Sequence, residues 1–384
     1  MENFDFFADF SINEDEPATS SRHGKCKTFE DWPKLPYKIK KIIISNLGFK
    51  CRLNLSLCSK SDFENVKNSK MKISEIRIVE QNLIFYEICK EEEKKCSTVE
   101  IYFDIEKGER FEMNFVEENE KCVLISIYDK SYKRKRKFSQ ICENNYKIEA
   151  MKLVEFCLAK CDYRLKRLTI EMEQNCFVLS PIPQLQNLRN LRVVTENQEL
   201  LLWWIRKVGP PKLKTLQICT KQELPTAFLN EISTQLNSCD KLYFWATPLF
   251  NQQQFLNLNA KVINLDVGLS LTDETINILL QKWANGEIRK DFVQFLGWFK
   301  RDSYDKDIIL KNLKVKKWDE QFYDESQGFC FDFERYAGKG DCYEVENNHW
   351  KDISATLLLS SDRITFLVTG RLFHGRMSHF VPVA

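Results

Sequence analysis

From Leu35 the apolar positions Ile39, Ile42, Ile43 and Leu47 recur at helical spacing, with Lys38, Lys40 and Lys41 between them. Leu35-Pro36 suits a first helical turn, because the missing proline N–H would have no intrahelical partner there, and Gly48 marks the end. The following stretch, Arg52–Lys60, alternates with period two and alone reads as a strand. Taken as a helix it would be apolar on more than one side, and so buried both against its own domain and against something else. Between 70 and 145 come short strand-like runs: Ile73/Ile76/Ile78, Val99/Ile101/Phe103, Phe111/Met113/Phe115 and Val123/Ile125/Ile127. Charged turns separate them, so this region is expected to be a small β-rich connector.

A looser repeat follows a helix-like segment at 148–161. An apolar-x-x-apolar-x-apolar pattern appears as Leu165/Leu168/Ile170, Leu188/Leu191/Val193, Leu213/Leu216/Ile218, Cys239/Leu242/Phe244 and Val262/Leu265/Val267. The starting positions imply intervals of 23, 25, 26 and 23 residues, and a sixth match, Leu310/Leu313/Val315, lies 48 further on. Parallel strands with returning helices have this pattern and period in leucine-rich repeats. The intervening segments agree: Leu200–Val208 before Gly209-Pro210-Pro211, a run opened by Pro225 with Phe228, Leu229, Ile232 and Leu236, and one capped by Thr272 with Ile276, Leu279, Leu280 and Trp283. Unrelated strand–helix units of an ordinary α/β fold are the alternative. The tail end is aromatic and strand-like, with Phe329/Phe331/Phe333 and then a hairpin formed by Ala355–Leu359 and Ile364–Val368, a candidate cap for the last repeat.

Composition narrows the classes of function. A chain of 384 residues that is 43% hydrophobic and 29% charged reads as globular, and a formal charge of +2 supplies no general attraction to nucleic acid or membrane. Met1-Glu2-Asn3-Phe4-Asp5 lacks the pattern of a secretory signal, and no apolar run reaches the length of a membrane span. The expected location is the cytoplasm, the nucleus or both. The 14 cysteines contain no Cys-x-x-Cys pair, and Cys157 with Cys161 alone cannot complete a zinc site; reduced thiols serving as small apolar residues are expected. Phosphate-binding loops, dinucleotide fingerprints, nucleophile elbows and His-Glu-x-x-His are absent, and only four histidines are present. A non-catalytic protein without cofactor or metal is expected. Lys133–Lys137, a run of five cations, reads either as a solvated turn or as a nuclear import or phosphate-contacting patch.

Residues 35–60 resemble an F-box: Leu35, Pro36, Ile42, Leu47, Leu53, Leu55, Leu57, Ser59 and Lys60 match that family's pattern, with Cys58 in its usual valine place. Lys38, Gly48 and Cys51 depart from it near the helix ends. The resemblance implies that Arg52–Lys60 is helical. Leu271–Gly286 and the closing Phe331–Arg335, Ala355–Leu357 and Phe366–Val368 are similar to the F-box-associated region of nematode F-box proteins.

The fold expected from all this is α+β: an N-terminal helical F-box, then an irregular α/β leucine-rich-repeat-like solenoid, then a β-rich C-terminal cap. The domains are a 1–28 tail, the F-box at 29–69, a connector at 70–147, the repeat region at 148–320 and the cap at 321–384. The resemblance implies an adaptor of a Skp1–cullin–F-box ubiquitin ligase, with Leu35, Pro36, Ile39, Ile43, Leu47, Leu55 and Cys58 facing the Skp1-type subunit. A protein substrate would meet the outward positions of the repeat strands, chiefly Arg167, Arg192, Lys241, Tyr243 and Trp245, and also Thr169, Asn190, Thr215, Gln217, Asn264, Asp266, Lys314 and Lys316. Trp245 could instead fold into the core beneath Pro248. The alternatives are a repeat scaffold that assembles without degradation, and a nucleic-acid binder using Lys133–Lys137.

Overall fold

The structure is a computed structural model and describes residues 32–47, 51–52, 55, 58–70, 72–85, 94–105, 109–118, 122–129, 134–140, 145–161, 165–173, 184–209, 213–269, 271–299, 304–317, 341–350, 353–361 and 363–368. The N-terminal phenylalanines and the run Phe329/Phe331/Phe333 lie outside the described residues. The chain divides into two compact units, Met1–Leu165 with Cys176–Pro183, and Lys166–Asn175 with Gln184–Ala384.

In the first unit a short 3-10 turn, Trp32–Lys34, leads into α1 (Tyr37–Asn46), and α2 spans Lys60–Lys67. Between them Cys51, Arg52 and Leu55 are helical, whereas Cys58 is in a turn and Ser59 is extended, so the expected helix does not run on to Lys60, where α2 begins. Five strands follow as an antiparallel meander: β1 (Ile73–Phe85), β2 (Lys94–Ile105), β3 (Glu109–Glu118), β4 (Cys122–Asp129) and β5 (Arg134–Gln140). Helix α3 (Tyr146–Lys160) starts at Asn145, whose side chain accepts the Lys147 N–H, and packs on β2 and β3. Ile76, Ile78, Val99, Ile101, Phe103, Met113 and Phe115 are buried, as are Ala150, Met151, Val154 and Cys157 on α3. Within the basic run Arg134–Lys137 are strand and pair with Asp129–Ser126 of β4, while Lys133 lies outside the described residues. A strand rich in lysine and arginine at the end of a meander discourages pairing with a further chain, which accounts for charge in that place.

The second unit begins with six parallel strands taken in order: β6 (Arg167–Glu171), β7 (Asn190–Val194), β8 (Thr215–Leu224), β9 (Lys241–Pro248), β10 (Val262–Leu269) and β11 (Gln294–Phe299). The returning segments carry α4 (Gln198–Arg206), α5 (Thr226–Glu231), α6 (Ser233–Ser238), α7 (Gln252–Leu256) and α8 (Asp273–Ala284). Leu168, Leu191, Leu216 and Leu242 stand level on adjacent strands and are buried. The fifth member is not Leu265. Ile263 pairs with Leu242 and Leu265 with Phe244, so this interval is 21 residues (242 to 263), and Phe295 continues the row 32 residues later (263 to 295).

The sixth sequence match does not extend the parallel series. Leu310 ends α9 (Lys306–Leu310), and Val315 begins β12 (Val315–Lys317), which runs antiparallel to β13 (Asp341–Glu346). Lys314 and Lys316 therefore do not belong to the parallel strands. The closing hairpin is present as β14 (Ser354–Leu359) and β15 (Arg363–Val368), and β15 pairs antiparallel with β11, satisfying the edge of the last parallel strand. Aromatic rings fill the space behind the later strands: Phe244, Phe250, Phe255 and Phe295 succeed one another at 5.7, 6.2 and 5.5 Å, and Trp283 of α8 meets Phe366 edge-on at 5.0 Å. Thr272 caps α8 by accepting the Thr275 N–H, and Gly286 leaves it at φ +76°, where an added Cβ would strike the His349 ring at 2.7 Å.

Candidate functional site

Helix α1 has two apolar sides with different fates. Ile44 is wholly buried, and Lys40, one turn earlier, is 9% exposed with its ammonium on the Pro33 carbonyl (3.3 Å) and 5.6 Å from the centre of the Trp32 ring. Tyr37, Ile39 and Ile42 instead present 54, 42 and 58% of their surface to solvent. Ile39 and Ile42, three residues apart, share one side of the helix and make an apolar patch that water disfavours and a partner can cover.

A polar frame holds this helix in place. Trp32 Nε1 donates to Asp62 Oδ1 at 2.6 Å; Ser59 caps α2 by accepting the Asp62 N–H and donates its hydroxyl to Asp62 Oδ2 at 2.7 Å. Buried Arg52 donates to the Leu47 carbonyl (3.1 Å), Ser69 Oγ (3.3 Å) and the Lys70 carbonyl (2.7 Å), tying the end of α1 to the end of α2. Burial pulls its guanidinium down to about 10, and the three acceptors offset that desolvation.

Of the residues expected to face a Skp1-type subunit, Pro36, Ile39 and Cys58 are exposed, and Leu35, Ile43, Leu47 and Leu55 are half-buried. Sequence reasoning overlooked Ile44 as the anchor and Arg52 and Asp62 as the frame. A buried arginine and aspartate give no signal beyond their place beside apolar residues.

On the second unit, the residues alternating with the core leucines form three rows across the parallel strands, exposed at Arg167 and Lys241, half-exposed elsewhere, and buried at Cys219. One holds Arg167, Asn190, Thr215, Lys241, Val262 and Gln294; the next Thr169, Arg192, Gln217, Tyr243, Asn264 and Leu296. The third places Glu171, Val194, Cys219 and Trp245 level. The five expected contact residues therefore share one sheet face. Trp245 is not folded into the core: it is half-exposed, with the Arg192 guanidinium 5.0 Å from its ring centre. Arg192 Nε also lies 3.7 Å from Glu171 Oε1. The side chain of Asp266 lies outside the described residues.

Among the described residues no group of three His, Cys, Asp or Glu side chains could hold a metal ion. No helix among the described residues is long and apolar enough to cross a membrane.

Comparison with known proteins agrees with the helical frame. Residues 32–73 match the model of the F-box domain, beginning at the tryptophan that bonds Asp62. The chain thus carries an F-box, a domain that in general implies an SCF-type adaptor role. Over its length it is similar to the Caenorhabditis elegans protein called "Uncharacterized F-box protein T20B12.4", with 26% identity over 351 residues, 89% of each chain. It is also similar to "Uncharacterized protein K06H7.1" of the same organism, 26% identical over 211 residues, 53% of this chain and 64% of that one. These likenesses fit a nematode-type F-box protein. No solved structure matches the chain.

Proposed function

We propose that this protein is the substrate-recognition adaptor of an SCF-type ubiquitin ligase in the cytoplasm or nucleus. The F-box binds a Skp1-type subunit, cullin joins through that subunit, and the second unit holds a protein substrate. The observation that carries the reading is the F-box match at 32–73 together with the exposed Tyr37, Ile39 and Ile42 on its first helix. Leu35, Pro36, Ile39, Ile43, Leu47, Leu55 and Cys58 are the proposed contacts to that subunit. In the second unit the reading is a leucine-rich-repeat-like array whose face, through Arg167, Arg192, Lys241, Tyr243 and Trp245, meets the substrate. Ubiquitin transfer is left to other subunits, and no cofactor is required.

The test is co-purification of tagged protein with Skp1 and cullin, for the native chain and for Leu35→Ala/Pro36→Ala. The double variant is expected to lose both partners while the second unit keeps its proteolytic resistance. Unchanged capture of Skp1 would sink the assignment. A repeat scaffold without degradation is separated by following bound proteins with and without proteasome inhibition: a ligase substrate accumulates under inhibition, a scaffold partner does not.

A further inference from the structure

At the entrance to each parallel strand one carbonyl accepts two amide N–H groups from the next repeat. Lys166 O takes Arg189 N and Asn190 N at 3.0 and 2.9 Å; Arg189 O takes Lys214 N and Thr215 N at 2.7 and 2.9 Å. Lys214 O takes Asp240 N and Lys241 N, Asp240 O takes Lys261 N and Val262 N, and Lys261 O takes Val293 N and Gln294 N. This repeated bond lines up Lys166, Arg189, Lys214, Asp240 and Lys261 along one end of the sheet, roughly 4.8 Å from strand to strand. Arg167 and Lys241 lie in the row just inside it.

The two halves of this border differ in charge. Over β9–β11 it neutralises itself: Lys261 Nζ is 2.8 Å from Asp291 Oδ2 and 3.8 Å from Asp240 Oδ1, and Arg289 reaches the same two carboxylates at 2.5 and 3.6 Å. Over β6–β8 its described residues Lys166, Arg189 and Lys214 are all basic, and on β9 Lys241 follows Asp240. Lys166, Arg167, Arg189, Lys214 and Lys241 are all exposed, and among the described residues no ion pair involves Lys166, Arg189, Lys214 or Lys241. Arg192, by contrast, already has Glu171 and the Trp245 ring.

We propose that Lys166, Arg189, Lys214 and Lys241, with Arg167, bind a run of carboxylates in an extended acidic segment of a partner protein, and that Arg192 orients Trp245 instead of holding the anion. This deepens the adaptor reading and rests on it for the partner being a substrate. Separate cations one strand apart suit a series of single negative charges. A lone phosphate is held best by donors built to converge on one point, and these residues stand in a line across successive strands. A polynucleotide wants a longer cationic groove with open ring faces for its bases, and the Trp245 face is taken by Arg192.

The test is fluorescence anisotropy with the full chain, alone and with its Skp1-type partner, using a labelled Glu-rich peptide. The comparators are the same peptide with Gln for Glu, a singly phosphorylated serine peptide and a short single-stranded oligonucleotide. The Glu peptide is expected to bind in preference to all three, and to weaken as salt rises. Lys166→Glu/Arg189→Glu/Lys214→Glu is expected to weaken it about tenfold or more, and the matching triple Gln variant by less, with both melting as the native chain does. Arg192→Gln should change affinity by about twofold or less. Equal binding of the Glu and Gln peptides, no binding of the Glu peptide, or preference for the oligonucleotide or phosphopeptide overturns the proposal. So does a loss with Arg192→Gln as large as that of the triple Glu variant. Failure of the adaptor reading is seen separately, in Skp1 co-purification, which these substitutions leave untouched.

Discussion

The Arg192 guanidinium lies 5.0 Å from the centre of the Trp245 ring, although the two residues sit on strands separated by β8. The long arginine side chain crosses the intervening strand on the half-exposed face, with Glu171 beside its Nε. A cation over an indole in this setting contributes roughly 0.5–1 kcal/mol. A double-mutant cycle of Arg192→Gln and Trp245→Ala, followed by urea unfolding, is expected to return a coupling of that size. Strict additivity would show that the stacked pair does not persist in solution.

The two sides of α1 should separate stability from binding. Ile44→Ala removes a wholly buried side chain and is expected to cost about 2–5 kcal/mol. Ile39→Ala and Ile42→Ala remove exposed surface, so thermal stability should move little while capture of a Skp1-type subunit falls. If Ile42→Ala binds that subunit as the native chain does, the exposed side of α1 is not the contact.

Thiol reactivity reads the same surface by another route. Cys51 and Cys58 are exposed, whereas Cys157, Cys219, Cys239 and Cys342 are buried, and burial pushes the Cys239 thiol up to about 12. Native-state alkylation with mass spectrometry should therefore label Cys51 and Cys58 well before those four. Adding a Skp1-type subunit is expected to protect Cys58. Unchanged labelling of Cys58 in the complex would remove it from the interface.

Acid should loosen the charged network at the start of β9–β11. The Arg289 hydrogen bond, and then that of Lys261, hold the Asp291 carboxyl at about 2, below its ordinary 3.8. A depressed carboxylate stabilises the fold above its unfolded value, and this is lost as pH falls from about 4 through about 2. Because the Asp291 side chain is half-exposed, screening keeps the effect to about 1 kcal/mol or less. The melting temperature of Asp291→Asn should fall less steeply over that interval than that of the native chain; parallel slopes would contradict the assignment.

Inward and outward positions on the repeat strands were legible from sequence, because side chains alternate with period two and the core accepts only the apolar set. Leu168, Leu191, Leu216 and Leu242 needed nothing more, and the helices after Pro225 and Thr272 carried their own apolar stripes, the second with its Thr272 cap. Register on β10 was different. Sliding a strand by two residues leaves the same side chains facing in, so Val262/Leu265/Val267 fits the pattern as well as Ala260/Ile263/Leu265. The choice is made by the Asp240 carbonyl, which accepts Lys261 N and Val262 N and fixes Ile263 beside Leu242. In the F-box, three successive isoleucines at 42–44 left the buried side of α1 open. Packing of Lys40 beside Trp32, and the Trp32–Asp62 bond beneath it, turn Ile44 inward and leave Ile42 in water. Composition and period determine which residues can be buried together; backbone hydrogen bonds and polar contacts between distant segments decide which of the equivalent choices is made.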